Sequence, residues 1–86
     1  MASTEYTLTA DWSATNRYTA GADVDVLISN PSGYSLRFEL TGTDATPALA
    51  ARRGHPIGPG QSRAMQLTSG ERLWLVGEGA IAVVAV

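Results

Sequence analysis

The clearest pattern in the chain is an alternation of apolar and polar positions between residues 23 and 41. Every second residue from Val24 to Ile28 is apolar, and the same holds from Tyr34 to Leu40. A period of two is typical of β-strands, because successive side chains point to opposite faces. The Asn-Pro-Ser-Gly sequence between the runs has the preferences of a type I turn. We therefore predict a β-hairpin of residues 23–30 and 33–41, with the even-numbered side chains in the core.

A second pair of apolar runs, residues 73–76 and 80–86, surrounds a Gly-Glu-Gly sequence near the C-terminus. This arrangement also predicts a hairpin. The final run is apolar on both faces, whereas a half-buried strand normally has one polar side. A central strand covered on both sides, or harmless exposure of small residues, would explain it. We favour an oligomer or docking interface on the second face, with Val84 and Val86 at the contact.

The rest of the chain gives weaker strand signals. Residues 62–68 alternate around Met65 and Leu67, whereas residues 1–22 are rich in Thr, Ser and Ala. We expect residues 1–22 to form an N-terminal arm or first strand, and residues 23–86 to form the main domain. Strands separated by turn signals every 8–12 residues or so indicate an all-β fold. We predict a single-domain antiparallel β-sandwich or barrel of six to seven strands.

The longest break in the pattern runs from residue 42 to residue 60. Residues 46–54 have the signs of a short helix, with Thr and Pro at the start, arginines in the last turn and a following Gly. The alternative is an extended loop that crosses the end of a sandwich. We expect residues 55–60 to be irregular, because their prolines and glycines break helices and central strands. So long a connection is functional or wraps a partner.

The composition limits the classes of function that we expect for this protein. The 86 residues contain no cysteine and one histidine, and the formal net charge is −2. So small a domain without disulfides gains stability by association, so we expect a homo-oligomer. An acidic chain is not suited to sequence-independent nucleic-acid binding. The longest apolar run is too short to cross a membrane, and the N-terminus lacks the features of a signal peptide, so we expect a soluble protein made in a cytoplasm.

No group of residues predicts catalysis, a cofactor or a metal site. His55 is the single histidine, and it lies in a loop between Gly54 and Pro56, where nothing obvious would orient it. We therefore expect that the protein is not an enzyme. His55, Arg52 and Arg53 are candidates for a contact between subunits, because arginine pairs well with carboxylates at interfaces. A solvated charged loop is the alternative.

The aromatic residues offer a second functional hypothesis. Trp12, Tyr18, Tyr34 and Trp74 would stack on sugars if they lined one exposed face. Tryptophans in a small β-sandwich are more often core or interface anchors. We expect Trp74 to be buried between its leucine neighbours and Trp12, in a polar turn, to make a surface contact. A carbohydrate- or surface-binding module is the alternative function.

Several sequence elements resemble small virion proteins of tailed bacteriophages. The resemblance covers residues 23–86 and is carried by Asn30-Pro31-Ser32-Gly33, Pro59-Gly60-Gln61-Ser62, Gly70-Glu71 with Leu73-Trp74, and Gly77 with Gly79. It implies a structural virion protein, made in the host bacterial cytoplasm, of the capsid decoration (cement), head-fibre or tail accessory type. Such proteins are small β-folds, often trimers, that bind the major capsid protein or another virion protein. The resemblance thus favours a trimer that stabilises the particle.

Overall fold

The computed structural model describes residues 2–86 and is an all-β domain. The strands are β1 (Ser3–Thr7), β2 (Arg17–Thr19), β3 (Val24–Ser29), β4 (Leu36–Thr41), β5 (His55–Ile57), β6 (Ser62–Leu67), β7 (Arg72–Val76) and β8 (Ile81–Ala85). Two short 3₁₀ turns span Ala14–Asn16 and Ala51–Arg53. Within residues 2–86, no helix is long and apolar enough to cross a membrane.

The strands form two antiparallel sheets of four strands each, which pack face to face. The first sheet has the order β1-β8-β3-β6, and the second has the order β2-β7-β4-β5. The predicted antiparallel sandwich is therefore confirmed, but with eight strands instead of six to seven. The pairs β1 with β8, β2 with β7, β3 with β6 and β4 with β5 follow the pattern of one long hairpin that is rolled up. This is the topology of a jelly roll.

Both predicted hairpins are wrong. β3 and β4 lie in different sheets, and so do β7 and β8. Each short link therefore crosses the end of the sandwich instead of turning back within one sheet. Alternation shows that a strand buries one face, but it does not identify the strand to which it bonds.

The two crossings are specified by particular residues. The buried Asn30 amide donates hydrogen bonds to the carbonyl oxygens of Tyr34 (2.7 Å) and Ile57 (3.0 Å), so that it ties one link to the opposite sheet. At the other link, Gly77 has φ of +154°, and a side-chain carbon there would lie 2.9 Å from the Ser35 carbonyl oxygen. Only glycine fits so close to another backbone.

The core lies between the sheets and is built from their inward side chains. As predicted, even-numbered residues of β3 and β4, such as Ile28 and Leu36, are buried. Tyr34 is the exception, because it precedes β4 and is 63% exposed. Each fully buried aliphatic side chain contributes roughly 1.5–3 kcal/mol relative to an exposed one. The core is thus one layer of apolar residues, as expected for a small sandwich.

The strand that the sequence did not predict is β5. It is three residues long, contains Pro56 and lies at the edge of the second sheet. An edge position tolerates proline, because a strand there needs ladder hydrogen bonds on one side only. On the same side of the molecule β6 is the edge strand of the first sheet, and on the other side β1 and β2 are the edge strands. They come from the segment that we expected to be an arm or first strand.

The long connection between β4 and β5 is not the predicted short helix. Its single helical element is the 3₁₀ turn Ala51–Arg53, whose N-cap residue Ala50 makes no side-chain capping bond. A helix of two turns is marginal without packing. Long-range hydrogen bonds hold the connection extended instead. The Trp12 indole donates to the Leu49 carbonyl oxygen (2.8 Å), and Arg72 Nε donates to Asp44 (2.9 Å). We call residues 42–54 the covering loop, because they lie over the second sheet.

Candidate partner-binding face

The outward side of the first sheet is the best candidate for a functional surface, and we call it the open face. The two 3₁₀ turns pack on β7 and β4 of the second sheet, whereas outward side chains of the first sheet such as Leu27, Ala64 and Gln66 are exposed. The strand register places these side chains on the open face: Ser3, Glu5, Thr7, Asp25, Leu27, Ser29, Ser62, Ala64, Gln66, Ile81, Val83 and Ala85.

The centre of the open face is apolar. Ala85 lies between Ser3 on β1 and Leu27 on β3, so a row of side chains crosses adjacent strands. Leu27 is 42% exposed, although it is flanked by two strands. Ile81 and Val83 extend the apolar stripe along β8 and are half-buried. A contiguous apolar stripe on a sheet surface is a frequent feature of protein interaction sites.

The charges of the open face are few and of one sign. Its ionisable residues are Glu5 and Asp25, on β1 and β3 respectively. The remaining polar groups are hydroxyls and an amide, and the Ser29 and Ser62 hydroxyls hydrogen-bond to each other across the strands (3.2 Å). Covering neutral polar groups costs far less than covering charges. The face is therefore suited to a partner surface that is apolar at its centre and basic at its rim.

The size of the open face limits how tightly one copy can bind. Strands about 4.8 Å apart, with a rise of about 3.4 Å per residue, give this four-stranded sheet a footprint of roughly 19 by 19 Å. That is roughly half of the ~800 Å² that each partner contributes to a standard stable interface. Lasting attachment through this face requires additional rim contacts or several copies that act together.

The structure reverses the assignment of the two sides of β8. Val84 is 2% exposed and belongs to the core together with Ala82, so the expectation that Val84 lies on an exposed face is wrong. Val86 packs against the core, and its backbone exchanges hydrogen bonds with Ala2. The exposed side of β8 carries Ile81, Val83 and Ala85 instead. Both sides of this strand are equally apolar in the sequence, so the pattern of β8 alone could not decide between them.

Trp12, Arg52 and Arg53 lie on the opposite side of the molecule from the open face. The Trp12 ring packs on Gly54, where a side-chain carbon would lie 3.1 Å from it, and its N–H bonds to the covering loop. Trp12 thus anchors that loop. Arg52 and Arg53 are exposed on the same loop. The structure therefore does not bring these three residues together with the C-terminal strand.

His55 is exposed at the side of the sandwich, where β5 and β6 are the edge strands. Its ring centre lies 5.2 Å from that of Phe38, at an interplanar angle of 34°. Within residues 2–86, no cluster of three His, Asp or Glu side chains is placed to hold a metal ion. A neighbour that sequence reasoning did not single out is Arg63, which enters the same cleft from β6.

The aromatic residues do not share an exposed face. Trp74 is 1% exposed, as predicted, and its N–H donates to the Thr41 hydroxyl (2.8 Å). Tyr18 packs against the core, whereas Tyr34 is exposed at the end of the sandwich. A stacking platform for sugars requires exposed rings on one face, and Trp74 is buried while Tyr18 packs against the core.

One ionisable group has a shifted pKa. Burial raises the pKa of the Tyr6 phenol, and the nearby Tyr18 raises it further. Both phenols lie at the side of the sandwich where β1 and β2 are the edge strands. The Tyr6 phenol is therefore neutral at physiological pH and acts as part of the core.

A comparison with protein-family models, curated proteins and solved structures finds no match to this chain. The jelly-roll assignment rests on the strand order of this structure. The resemblance to phage virion proteins stays a prediction.

Proposed function

We propose that this protein is a structural virion protein of a tailed bacteriophage, and specifically a capsid decoration (cement) protein. It binds the outer surface of the major capsid protein and stabilises the particle. The observation that carries the proposal is the open face, a sheet surface with an apolar centre and few charges that residues 2–86 leave partly exposed. The jelly roll supports it, because viral capsid proteins commonly use this fold. The sequence resemblance supplies the particular virion role.

The mechanism is burial of the stripe formed by Leu27, Ile81, Val83 and Ala85 against a capsid subunit. Because one footprint is small, we infer that the protein acts as a homo-oligomer, with a trimer favoured by the resemblance. Several weak contacts made at once hold far more tightly than one, provided that their geometry matches. A trimer at a junction of capsid subunits would thereby resist their separation. Glu5 and Asp25 would meet basic groups at the rim of the site.

The first experiment is mass spectrometry of purified native particles of the phage that encodes this chain. We expect the chain to be present at a fixed copy number per capsid, since a decoration protein fills equivalent sites. Absence of the chain from the purified particles contradicts the virion role. A copy number of only a few per particle contradicts decoration and favours a fibre or tail site.

The second experiment tests the face itself by co-sedimentation of purified protein with particles stripped of it. Val83→Asp places a charge at the centre of the apolar stripe, so we expect it to abolish binding. The matched control is Thr19→Asp, which adds the same charge at an exposed position on the second sheet and should bind normally. Equal binding by both variants refutes the open face as the attachment site.

A further inference from the structure

A second surface lies at the side of the sandwich where β5 and β6 are the edge strands. Two adjoining hollows, of about 300 Å³ and about 500 Å³, run along this side and share Arg63 and Ala64. The floor of the first consists of Phe38, Leu40 and Met65. We call the two hollows together the edge groove. Arg63, Met65 and Phe38 point between the sheets and distinguish this groove from the open face, with which it shares Ser62 and Ala64 at its rim.

The edge groove carries positive charge without a partner. The Arg63 guanidinium carbon lies 5.3 Å from the centre of the Phe38 ring, and His55 lies beside the same ring. Within residues 2–86, the ion pairs are those of Arg17 and Arg72 with Asp44. No Asp or Glu lines either hollow. An unpaired guanidinium above an apolar floor is a typical recognition element for a carboxylate.

The backbone of β6 is also available. β6 bonds to β3 on one side only. The Asn30 N–H bonds to the Gln61 carbonyl oxygen, so the groups of odd-numbered residues in β6 face β3. Because strand groups alternate in direction, the N–H and C=O groups of Ser62, Ala64 and Gln66 point away from the sheet. Such a free edge can accept an additional strand.

We propose that the edge groove binds an extended acidic peptide segment of a partner protein. The segment adds to β6 as a further strand and places an Asp or Glu carboxylate on Arg63 and His55. Side chains two positions apart in a strand point the same way. Arg63 and Met65 are spaced in this way on β6, so the segment carries an apolar residue two positions from its acid. This inference is independent of the virion role.

The test is selection of binders from a displayed library of random octapeptides, followed by fluorescence anisotropy with one selected peptide. We expect enrichment of an acid two positions from an apolar residue. Arg63→Gln should weaken binding about tenfold or more, because it removes a charge-assisted bond. Arg53→Gln, which removes an exposed arginine from the covering loop, is the matched control and should have no effect. Failure to enrich any peptide overturns the proposal.

Backbone pairing has its own test, which leaves the protein unchanged. The selected peptide is methylated on the backbone nitrogens of alternate residues, in two complementary sets. Strand addition predicts that one set abolishes binding and the other is tolerated, since alternate N–H groups face β6. Equal effects of both sets overturn strand addition. If Arg63→Gln instead promotes self-association and leaves peptide binding intact, the role of Arg63 is to prevent edge-to-edge association of the sheet, and the proposal fails.

Discussion

The outer faces of the two sheets differ in how far their apolar side chains are buried, although both are formed by similar strands. On the second sheet, Trp74 and Val76 point outward but are buried. Arg17 stacks over Trp74, the Ala14–Asn16 turn packs on β7, and Ala51 and Arg52 of the covering loop lie near Val76. On the first sheet, Leu27 and Val83 also point outward, but Leu27 is exposed and Val83 is only half-buried. An outward apolar side chain is therefore buried or left exposed according to whether another segment of the chain packs over it. The strand sequence does not carry this information.

Polar contacts hold both ends of the covering loop on the second sheet. Asp44 accepts a hydrogen bond from Arg72 and lies 3.5 Å from Arg17, which stacks over Trp74. Arg37 donates to the Gly54 carbonyl oxygen (3.1 Å) at the other end of the loop. These bonds hold an extended segment over apolar side chains without a helix. The first sheet has no corresponding arginines on its outer face, so the difference between the faces extends to charge.

The largest expected change in the free energy of unfolding distinguishes the inward side of β8 from its outward side. Val84→Asp buries an unpaired carboxylate in the core, and we expect it to cost about 4 kcal/mol or more and to unfold the domain. Val83→Asp places the same group on the open face, where it should change stability by about 1 kcal/mol at most. Urea unfolding monitored by circular dichroism measures both. Similar losses would mean that the open face is core.

The next largest expected change in stability comes from a direct comparison of the outer faces of the two sheets. Trp74→Ala removes a buried indole on the outer face of the second sheet, and we expect a loss of about 3–5 kcal/mol in the free energy of unfolding. Leu27→Ala should cost well under about 1 kcal/mol in the monomer. The comparison is made by chemical denaturation at low protein concentration, so that association does not contribute. A large loss from Leu27→Ala would show that its side chain is covered.

A smaller effect tests how the cover is fastened. Asp44→Ala removes the partner of Arg17 and Arg72, and we expect a loss of about 1 kcal/mol because these ion pairs are partly exposed. Hydrogen exchange should increase in the covering loop. Asp25→Ala on the open face removes an acid without an ion-pair partner and serves as the control. No change in exchange after Asp44→Ala would show that apolar packing alone holds the loop.

The smallest effect concerns β1, which borders the open face. Because the folded state raises the pKa of Tyr6, its contribution to stability is complete below about pH 10, the ordinary tyrosine pKa, and is lost as the pH rises through the folded-state value. Tyr6→Phe removes this dependence, so it should unfold at a slightly higher pH than the parent. Tyr34→Phe is the matched control. Identical alkaline unfolding curves for the parent and Tyr6→Phe would contradict the burial of Tyr6.

Much of the fold was predictable from local pattern, because alternation reports which positions a strand buries. It located β3, β4, β6, β7 and β8, and it correctly predicted an all-β sandwich. It missed β5, since Pro56 argues against a central strand but not against an edge strand. Both hairpin predictions were wrong because the pairing of each strand depends on the topology of the whole chain. The sequence of a single turn, such as the one at Gly77, does not show which strands pair.

The candidate site was predictable only in part. The doubly apolar sequence of the C-terminal strand drew attention to β8, but it pointed to Val84, and the register with β3 was needed to show that Val83 is on the outward side. The covering loop was expected to be functional or to wrap a partner, whereas it wraps its own second sheet. Arg63 lies two positions from Met65 and so shares its inward face. It was missed because the sequence does not show that β6 is an edge strand, where an inward arginine stays exposed beside Phe38.

The rolled topology also constrains how the chain reaches its native state. Among the strand pairs, only β4 and β5 are consecutive in sequence, and the long covering loop joins them. β1 cannot bond to β8 until nearly the whole domain has left the ribosome, so the early strands remain unpaired during synthesis. Topologies dominated by such distant pairings fold on the millisecond-to-second scale, and their intermediates are prone to aggregation. A protein with this architecture therefore completes its fold only after its synthesis is complete, which separates chain production from the binding of any partner in time.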